Sequence, residues 1–334
     1  MSGAPADGSV LVLRALGLGD ALTGVAALRG VRRAWPDREL WLAGPAATGD
    51  WLRDLGVVDH VLPAAGLDPL TWPGRGHVAV DLHGRGPQSH RVLQATGPEH
   101  LVAFGCPEAD HDGPAWRQDE HEVDRWCRLV TATGGPCGAE DLRLRGAAVL
   151  AAAGEPADPG ECRGEVLLHP GAASASRRWP AARWARLAAC LRDDGRDVAV
   201  TGGPAERDLC AAVAGEAGVR DLSGRFTVPG LAARVARAAL VVCGDTGVAH
   251  VATAVATPSV LLFGPTPPQR WGPRIDPDLH RVVWHGEASR AGDPHGDRLD
   301  PALAAVGVGE VLAAARDLLD AQPAAAGGAA TVRA

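Results

Sequence analysis

The chain has no lysine, no asparagine and no tyrosine, and a single isoleucine, Ile275. The codons of these residues are AT-rich, so their joint depletion reads as a GC-rich genome writing arginine for lysine and valine or leucine for isoleucine. It carries no functional message. Cysteine is sparse: Cys106, Cys127, Cys137, Cys162, Cys190, Cys210 and Cys243 are scattered without a C-x-x-C pair. An odd, dispersed set argues against a closed disulfide framework and fits a reducing cytosol. Long apolar runs are missing too: nothing reaches the ~18–20 residues of a membrane-spanning helix, and the first nine residues lack a basic signal-peptide region. The formal charge is −7, with 33 basic against 40 acidic residues. With no arginine run longer than two, the footprint of a polyanion binder is absent and nucleic acid is excluded as a partner. A cytoplasmic protein is expected.

What is present is globular. The 334 residues are 46% hydrophobic and 22% charged, enough for two domains with buried cores. Short apolar runs alternate with segments of helical period. Val10–Leu13, Glu39–Ala43, His77–Leu82 and His100–Phe104 read as strands, and Asp20–Ala34, Pro87–Thr96 and Glu120–Thr133 as helices. Residues 151–164, rich in Ala, Gly, Pro and Glu, read as a linker. A second series follows: strands Glu165–His169, Asp197–Thr201, Ala239–Cys243 and Ser259–Phe263 alternate with helices Pro180–Arg192, Ala205–Gly215 and Val228–Ala238. The fold class is therefore α/β, with Rossmann-like domains at 1–150 and 165–300 facing each other across a ligand cleft. A closing helix at 301–322 is expected to return to the first domain, ahead of a mobile tail at 323–334.

Three glycine-containing turns at strand ends can carry chemistry. In Gly17-Leu18-Gly19-Asp20 the glycines allow a tight turn into a helix. It fails as a dinucleotide fingerprint, because Leu22 stands where the third glycine belongs. Asp20 is either a helix N-cap or a catalytic carboxylate, and the roles are compatible. In Gly244-Asp245-Thr246-Gly247-Val248-Ala249-His250 the amides of Thr246 and Gly247 can face a phosphate, Thr246 and His250 share a helix face, and Asp245 suits sugar hydroxyls better than phosphate. The third turn, His169 to Pro180, carries Arg177 and Arg178, either of which could neutralise a diphosphate or simply be solvated. Behind strand His77–Leu82, His83 and Arg85 could line an acceptor side with Gly19, or form an ordinary turn. His121-Glu122 lacks the second histidine of a zincin motif, since Arg125 stands there, and no His, Cys or Asp-x-Asp cluster has metal-ligand spacing. Trp126 and Trp184, at helical positions, read as core.

These turns occur in order with Thr201-Gly202-Gly203-Pro204-Ala205-Glu206, Asp221-Leu222-Ser223-Gly224 and Phe263-Gly264-Pro265-Thr266. Together they resemble glycosyltransferase family 9, the ADP-heptose:lipopolysaccharide heptosyltransferase family, over almost the whole chain. The resemblance implies a GT-B fold with the acceptor on the N-terminal domain and a nucleotide-sugar donor, ADP-heptose in the family, on the C-terminal one. It implies inverting, metal-independent transfer without a cofactor to a glycan or glycolipid acceptor, with Asp20 as base. Asp221 or a neighbour could accept hydrogen bonds from the ribose. A lipid-linked acceptor would bring the protein to the inner face of the membrane. Two departures stand out: Arg177-Arg178 replaces the family's lysine before Trp-Pro, and Gly24-Val25 replaces its Leu-Pro pair. The competing readings are a non-catalytic nucleotide-sugar-binding protein of the same fold and, against the broken fingerprint, an NAD-dependent oxidoreductase.

Overall fold

The computed structural model describes residues 4–154 and 164–322. The first half runs β1 (Val10–Leu13), α1 (Leu18–Thr23), α2 (Val25–Ala34), β2 (Leu40–Gly44), α3 (Ala46–Asp54), β3 (His60–Pro63), β4 (Val78–Asp81), α4 (Gln88–Gln94), β5 (His100–Val102), α5 (Glu122–Thr131) and α6 (Gly146–Ala152). The second runs β6 (Glu165–His169), α7 (Ala181–Asp193), β7 (Asp197–Val200), α8 (Arg207–Ala217), β8 (Arg220–Asp221), α9 (Val228–Arg237), β9 (Leu240–Gly244), α10 (Gly247–Ala254), β10 (Ser259–Leu262), α11 (Pro268–Trp271), β11 (His280–Val283), α12 (Pro301–Ala305) and α13 (Val308–Asp320).

The strands form two separate parallel sheets. One has five strands in the order β3-β2-β1-β4-β5 and the other six in the order β11-β10-β9-β6-β7-β8. Strands buried on both faces need apolar residues at every position, and β1 (Val-Leu-Val-Leu) and β9 (Leu-Val-Val-Cys-Gly) are buried throughout. In each sheet the chain winds outward from the first strand and then returns to its other side, so the winding reverses between β1 and β4 and between β6 and β9. Such reversal points open a crevice beyond the carboxyl ends of the strands, where ligands of open α/β sheets sit. This is the GT-B architecture.

Apolar packing joins the halves. One buried cluster runs from Val12, Leu22 and Leu28 through Val248 and Ala252 to Leu167 and Val241. α1 packs on α10 and α6 on α9, and Leu144 donates its amide to the Ala254 carbonyl at 2.8 Å. A second cluster fills the far side of the larger sheet with Trp184, Leu187, Val213 and Leu318. Trp126 and Trp184 are both core residues.

Three expectations need correction. The first helix is not continuous: it breaks at Gly24, where a Cβ would lie 2.7 Å from Cδ of Arg14. The boundary at 150/151 cuts through α6, which extends to Ala152 and packs on the second domain's α9; most of the expected linker, 155–163, lies outside the described residues. The closing helix at 301–322 is two helices, broken at Val306-Gly307, where the Glu310 carboxylate accepts the Gly307 amide at 2.5 Å. α13 packs on α7, β9, β10 and β11 of its own domain and does not return to the first. The expected tail, 323–334, lies outside the described residues, among which no helix is long and apolar enough to cross a membrane.

Candidate active site

Four loops meet at the two reversal points, each at the carboxyl end of a central strand: Gly17–Asp20 after β1, His83–Arg85 after β4, Ala172–Arg178 after β6 and Asp245–Gly247 after β9. They close on each other because α1 and α10 meet at their first turns. A Cβ on Gly247 would lie 3.0 Å from Leu18 Cβ and 3.2 Å from the Gly19 amide nitrogen, and one on Gly19 would lie 2.9 Å from the His250 ring. Here the glycines are required by close approach, and the contact brings the two helix N-termini, with their free amides, to one place.

Asp20 lies within the first turn of α1, whose N-cap is Gly17. The N-cap reading of Asp20 is thereby corrected: its side chain is half-buried and caps nothing. Its backbone is held from below by Arg14, which is 1% exposed. The Arg14 guanidinium donates to the carbonyls of Asp20 and Leu82, to Thr23 Oγ1 at 2.9 Å and to Glu122 Oε1 at 3.3 Å, and it lies over the Trp126 ring. One buried cation thus joins the turn after β1 to the loop after β4. In that loop His83 has a buried Nδ1 with no partner among the described residues. Burial lowers its pKa, opposed by the carboxylates of Asp81 and Asp20. Arg85, two residues on, is exposed. The loop's base is held by Asp81, whose carboxylate accepts the His83 amide at 2.8 Å and pairs with His90 at 2.9 Å.

Across the contact, Asp245 is buried, and burial pushes its carboxyl up to about 6 against the attraction of Arg177 and a hydrogen bond from Thr266; the Asp20 charge adds to the rise. Arg177 and Arg178 diverge. Arg177, in a one-turn 3-10 helix, directs Nη1 to the Asp245 carbonyl at 3.0 Å and keeps a buried Nε without a partner among the described residues. Arg178 is exposed and bonds the Ala172 carbonyl at 2.8 Å. The Thr246 hydroxyl is buried and has no hydrogen-bond partner among the described residues. An arginine nitrogen and a hydroxyl thus stand unsatisfied beside the free amides of α10, a cradle chemically suited to an anion. His250, held neutral by burial with a pKa near 4, packs against Trp271 and Gly19.

Asp221 stands apart: at the end of edge strand β8, it accepts the Ser223 amide at 2.8 Å and so shapes a turn. Glu206, quoted in a motif but given no role, reaches further in. Its carboxylate accepts the Gly203 amide at 2.7 Å, lies 3.8 Å from His169 Nε2 and occupies the space where a Gly171 Cβ would be. The capping spacing from Gly203 to Glu206 was its visible signal. Arg14 gave none, since its role depends on residues 68 and 108 positions away. His121 finds a structural use: it caps α5 and its Nε2 lies 3.0 Å from the Gly272 carbonyl of the other domain.

The sequence model of glycosyltransferase family 9 (heptosyltransferase) matches residues 110–290. Lipopolysaccharide heptosyltransferase 3 of Escherichia coli is 33% identical over 113 residues, covering 32% of this chain and 33% of that protein. Lipopolysaccharide heptosyltransferase 1 of Pseudomonas aeruginosa is 35% identical over 104 residues, 31% and 29% of the two chains. The chain thus spans about a third of the length of these curated relatives. The fold extends further: the structure of E. coli ADP-heptose lipopolysaccharide heptosyltransferase II superposes with a TM-score of 0.70 over 93% of this chain and 98% of that one, at 19% identity. A family 9 glycosyltransferase from Veillonella parvula gives 0.72 over 96% and 99%, at 16% identity. With its model covering more than half of the residues and its fold shared end to end, glycosyltransferase family 9 is the family to which this chain belongs.

Proposed function

We propose that the protein is an inverting glycosyltransferase that moves a heptose-like sugar from a nucleoside-diphosphate donor, ADP-heptose by analogy with its relatives, to a hydroxyl of a cell-envelope glycan or glycolipid. The observation that carries this reading is the meeting of α1, whose first turn holds Asp20, with α10, whose N-terminus lies beside the unsatisfied Arg177 and Thr246 atoms. In the reaction the acceptor hydroxyl attacks the anomeric carbon from the first-domain side while Asp20 takes its proton. The bond from that carbon to the diphosphate breaks on the opposite side, and the electron pair leaves with the diphosphate. Arg177 and the Thr246 and Gly247 amides stabilise the growing negative charge, so the positive charge is supplied by protein groups and no divalent metal is needed. Asp245 holds sugar hydroxyls, Glu206 is better placed for the ribose than Asp221, and Gly19, His83 and Arg85 line the acceptor side. A lipid-linked acceptor would draw the protein to the inner face of the membrane.

The test is a donor screen. ADP-, GDP- and UDP-sugars are assayed for thermal shift and, with lipopolysaccharide-core acceptors, for release of the diphosphate, each with and without a chelator. ADP-heptose should both stabilise the protein and be turned over regardless of chelator. At a nucleotide concentration of ~100 Kd the stabilisation is about 2.7 kcal/mol. Binding without transfer to any acceptor would favour a non-catalytic nucleotide-sugar-binding protein, and loss of turnover on chelation would refute metal independence.

A further inference from the structure

Away from the cleft, α5 carries a second chemical feature. Cys127 is buried on its inner face, and the loop that follows the helix turns back so that Cys137 Sγ lies 3.9 Å from the carbonyl oxygen of Cys127 itself. Cys137 also packs against the small apolar cluster that contains Cys127. The loop has little freedom to separate them. Gly30 of α2 and Gly135 meet backbone to backbone: a Cβ on Gly135 would lie 2.3 Å from the Gly30 carbonyl oxygen, and one on Gly30 would lie 2.7 Å from Cys137 Sγ. Arg33 then donates to the Pro136 carbonyl at 2.8 Å and pairs with Asp141 beyond. Both cysteines are free, and Cys137 is the more exposed of the two.

We propose that Cys127 and Cys137 are a disulfide-forming pair, a modification site that takes a small glutathione-type disulfide as its oxidant. The Cys137 thiolate attacks one sulfur of the oxidant, forming a mixed disulfide and expelling one thiolate. Cys127 then gives up its proton to solvent and attacks the Cys137 sulfur, expelling the second thiolate. Two protein thiols become one disulfide, and the oxidant, taking up two electrons, becomes two thiols. The division of labour follows from the surroundings. Hydrogen bonds from the Cys127 thiol and the Thr131 hydroxyl hold the Cys137 pKa below its usual value, whereas its donor role and its burial raise that of Cys127. The lower thiol is also the accessible one, as an attacking group must be. Closing the loop restricts the unfolded chain and should stabilise the fold.

The experiment treats the full-length protein with oxidised glutathione at neutral pH, quenches with an alkylating agent and maps the peptides. Arg128 lies between the two cysteines, so trypsin leaves them as a crosslinked pair of peptides with a mass lower by two hydrogen atoms than the reduced pair. The expected result is that this crosslink is the dominant oxidation product, that it raises the thermal midpoint, and that reductant reverses both. Cys127→Ser should retain a glutathione on Cys137, and Cys137→Ser should leave Cys127 unmodified; the second variant alters the more exposed side chain and serves if the first fails to fold. Recovery of both cysteines alkylated, or of Cys137 linked to glutathione while Cys127 stays reduced, would overturn the proposal, as would a crosslink to any other cysteine.

Discussion

Asp20 is the side chain on which the proposed chemistry turns, and the structure frees it from a structural duty. It caps no helix and makes no ion pair among the described residues, so Asp20→Asn should shift stability by less than about 1 kcal/mol while lowering kcat by ~10²–10⁴-fold. Full activity in that variant, measured with the true acceptor, would remove Asp20 from the mechanism. The adjacent arginines divide in the same way. Arg177→Ala should weaken donor binding about tenfold or more, since it removes a charge-assisted contact, and Arg178→Ala should leave it nearly unchanged. Isothermal titration with the nucleotide separates them. Asp245 supplies a pH test. An acid whose folded pKa is raised to about 6 binds protons in the folded state that the unfolded state has lost, so this group makes stability fall as pH rises from about 4 to about 6. Its ionisation would also place a negative charge near the proposed diphosphate site. Donor affinity should therefore decline as pH rises through about 6, and Asp245→Asn should flatten that decline in a binding titration with an intact nucleotide sugar. The Gly17–Asp20 turn was legible as a candidate site because glycines before a carboxylate at a strand end are local facts. The choice between Arg177 and Arg178 was not, because it depends on a one-turn 3-10 helix at Ala175–Arg177 that aims one side chain in and the next one out.

At the scale of elements, the break between α1 and α2 explains a departure from the family pattern. Gly24 has ordinary helical angles, φ −82° and ψ −14°, so its backbone does not demand glycine. The Arg14 side chain does, lying 2.7 Å from where a Cβ would stand. Arg14 cannot retreat without releasing the carbonyls of Asp20 and Leu82. Gly24→Ala, which by propensity alone would gain about 1 kcal/mol, is therefore expected to destabilise by about 1–3 kcal/mol and to lower kcat with little change in donor affinity. Denaturant melts and steady-state kinetics on one preparation check both. Most strands were legible, since fully buried parallel strands announce themselves as continuous apolar runs. The exceptions lie at sheet edges. β3 reads His-Val-Leu-Pro and β11 reads His-Arg-Val-Val, half-exposed sequences whose strand character comes from a single neighbour. The helical break at Val306-Gly307 was equally hidden, because Ala and Leu on both sides continue the period while the Glu310 cap restarts it.

For the whole molecule, the question is what holds the domains together. Among the described residues, three ion pairs cross between them: Arg270 with Asp119, Arg274 with Asp124 at 2.9 Å, and Arg143 with Asp276. All are at least one-fifth exposed, and exposed pairs contribute ~0–1 kcal/mol each. The apolar cluster shared by both sheets, with α1 on α10 and α6 on α9, is the stronger tie. Raising salt to about 0.5 M, where screening acts within a few ångströms, should accordingly leave the radius of gyration by small-angle scattering unchanged. Gly247→Val, whose side chain must push Leu18 and the Gly19 backbone away, should increase it. The two-domain plan was legible from alternating strands and helices, but the shared core was not, since no local pattern says that Leu22 and Ala252 will share one buried cluster.

In the proposed reaction the Gly19–Gly247 approach would also set a ratio that neither domain determines alone. An activated sugar can be captured by its acceptor or by water, and the outcome depends on how many solvent molecules fit between base and donor at the moment of closure. Where two helices meet through a pair of glycines, with Leu18 and the His250 ring packed on them, that number is small. Widening the gap by one methyl group would leave both half-sites intact and still turn the proposed transferase toward hydrolysis. Fidelity of transfer would then be governed by the absence of two side chains.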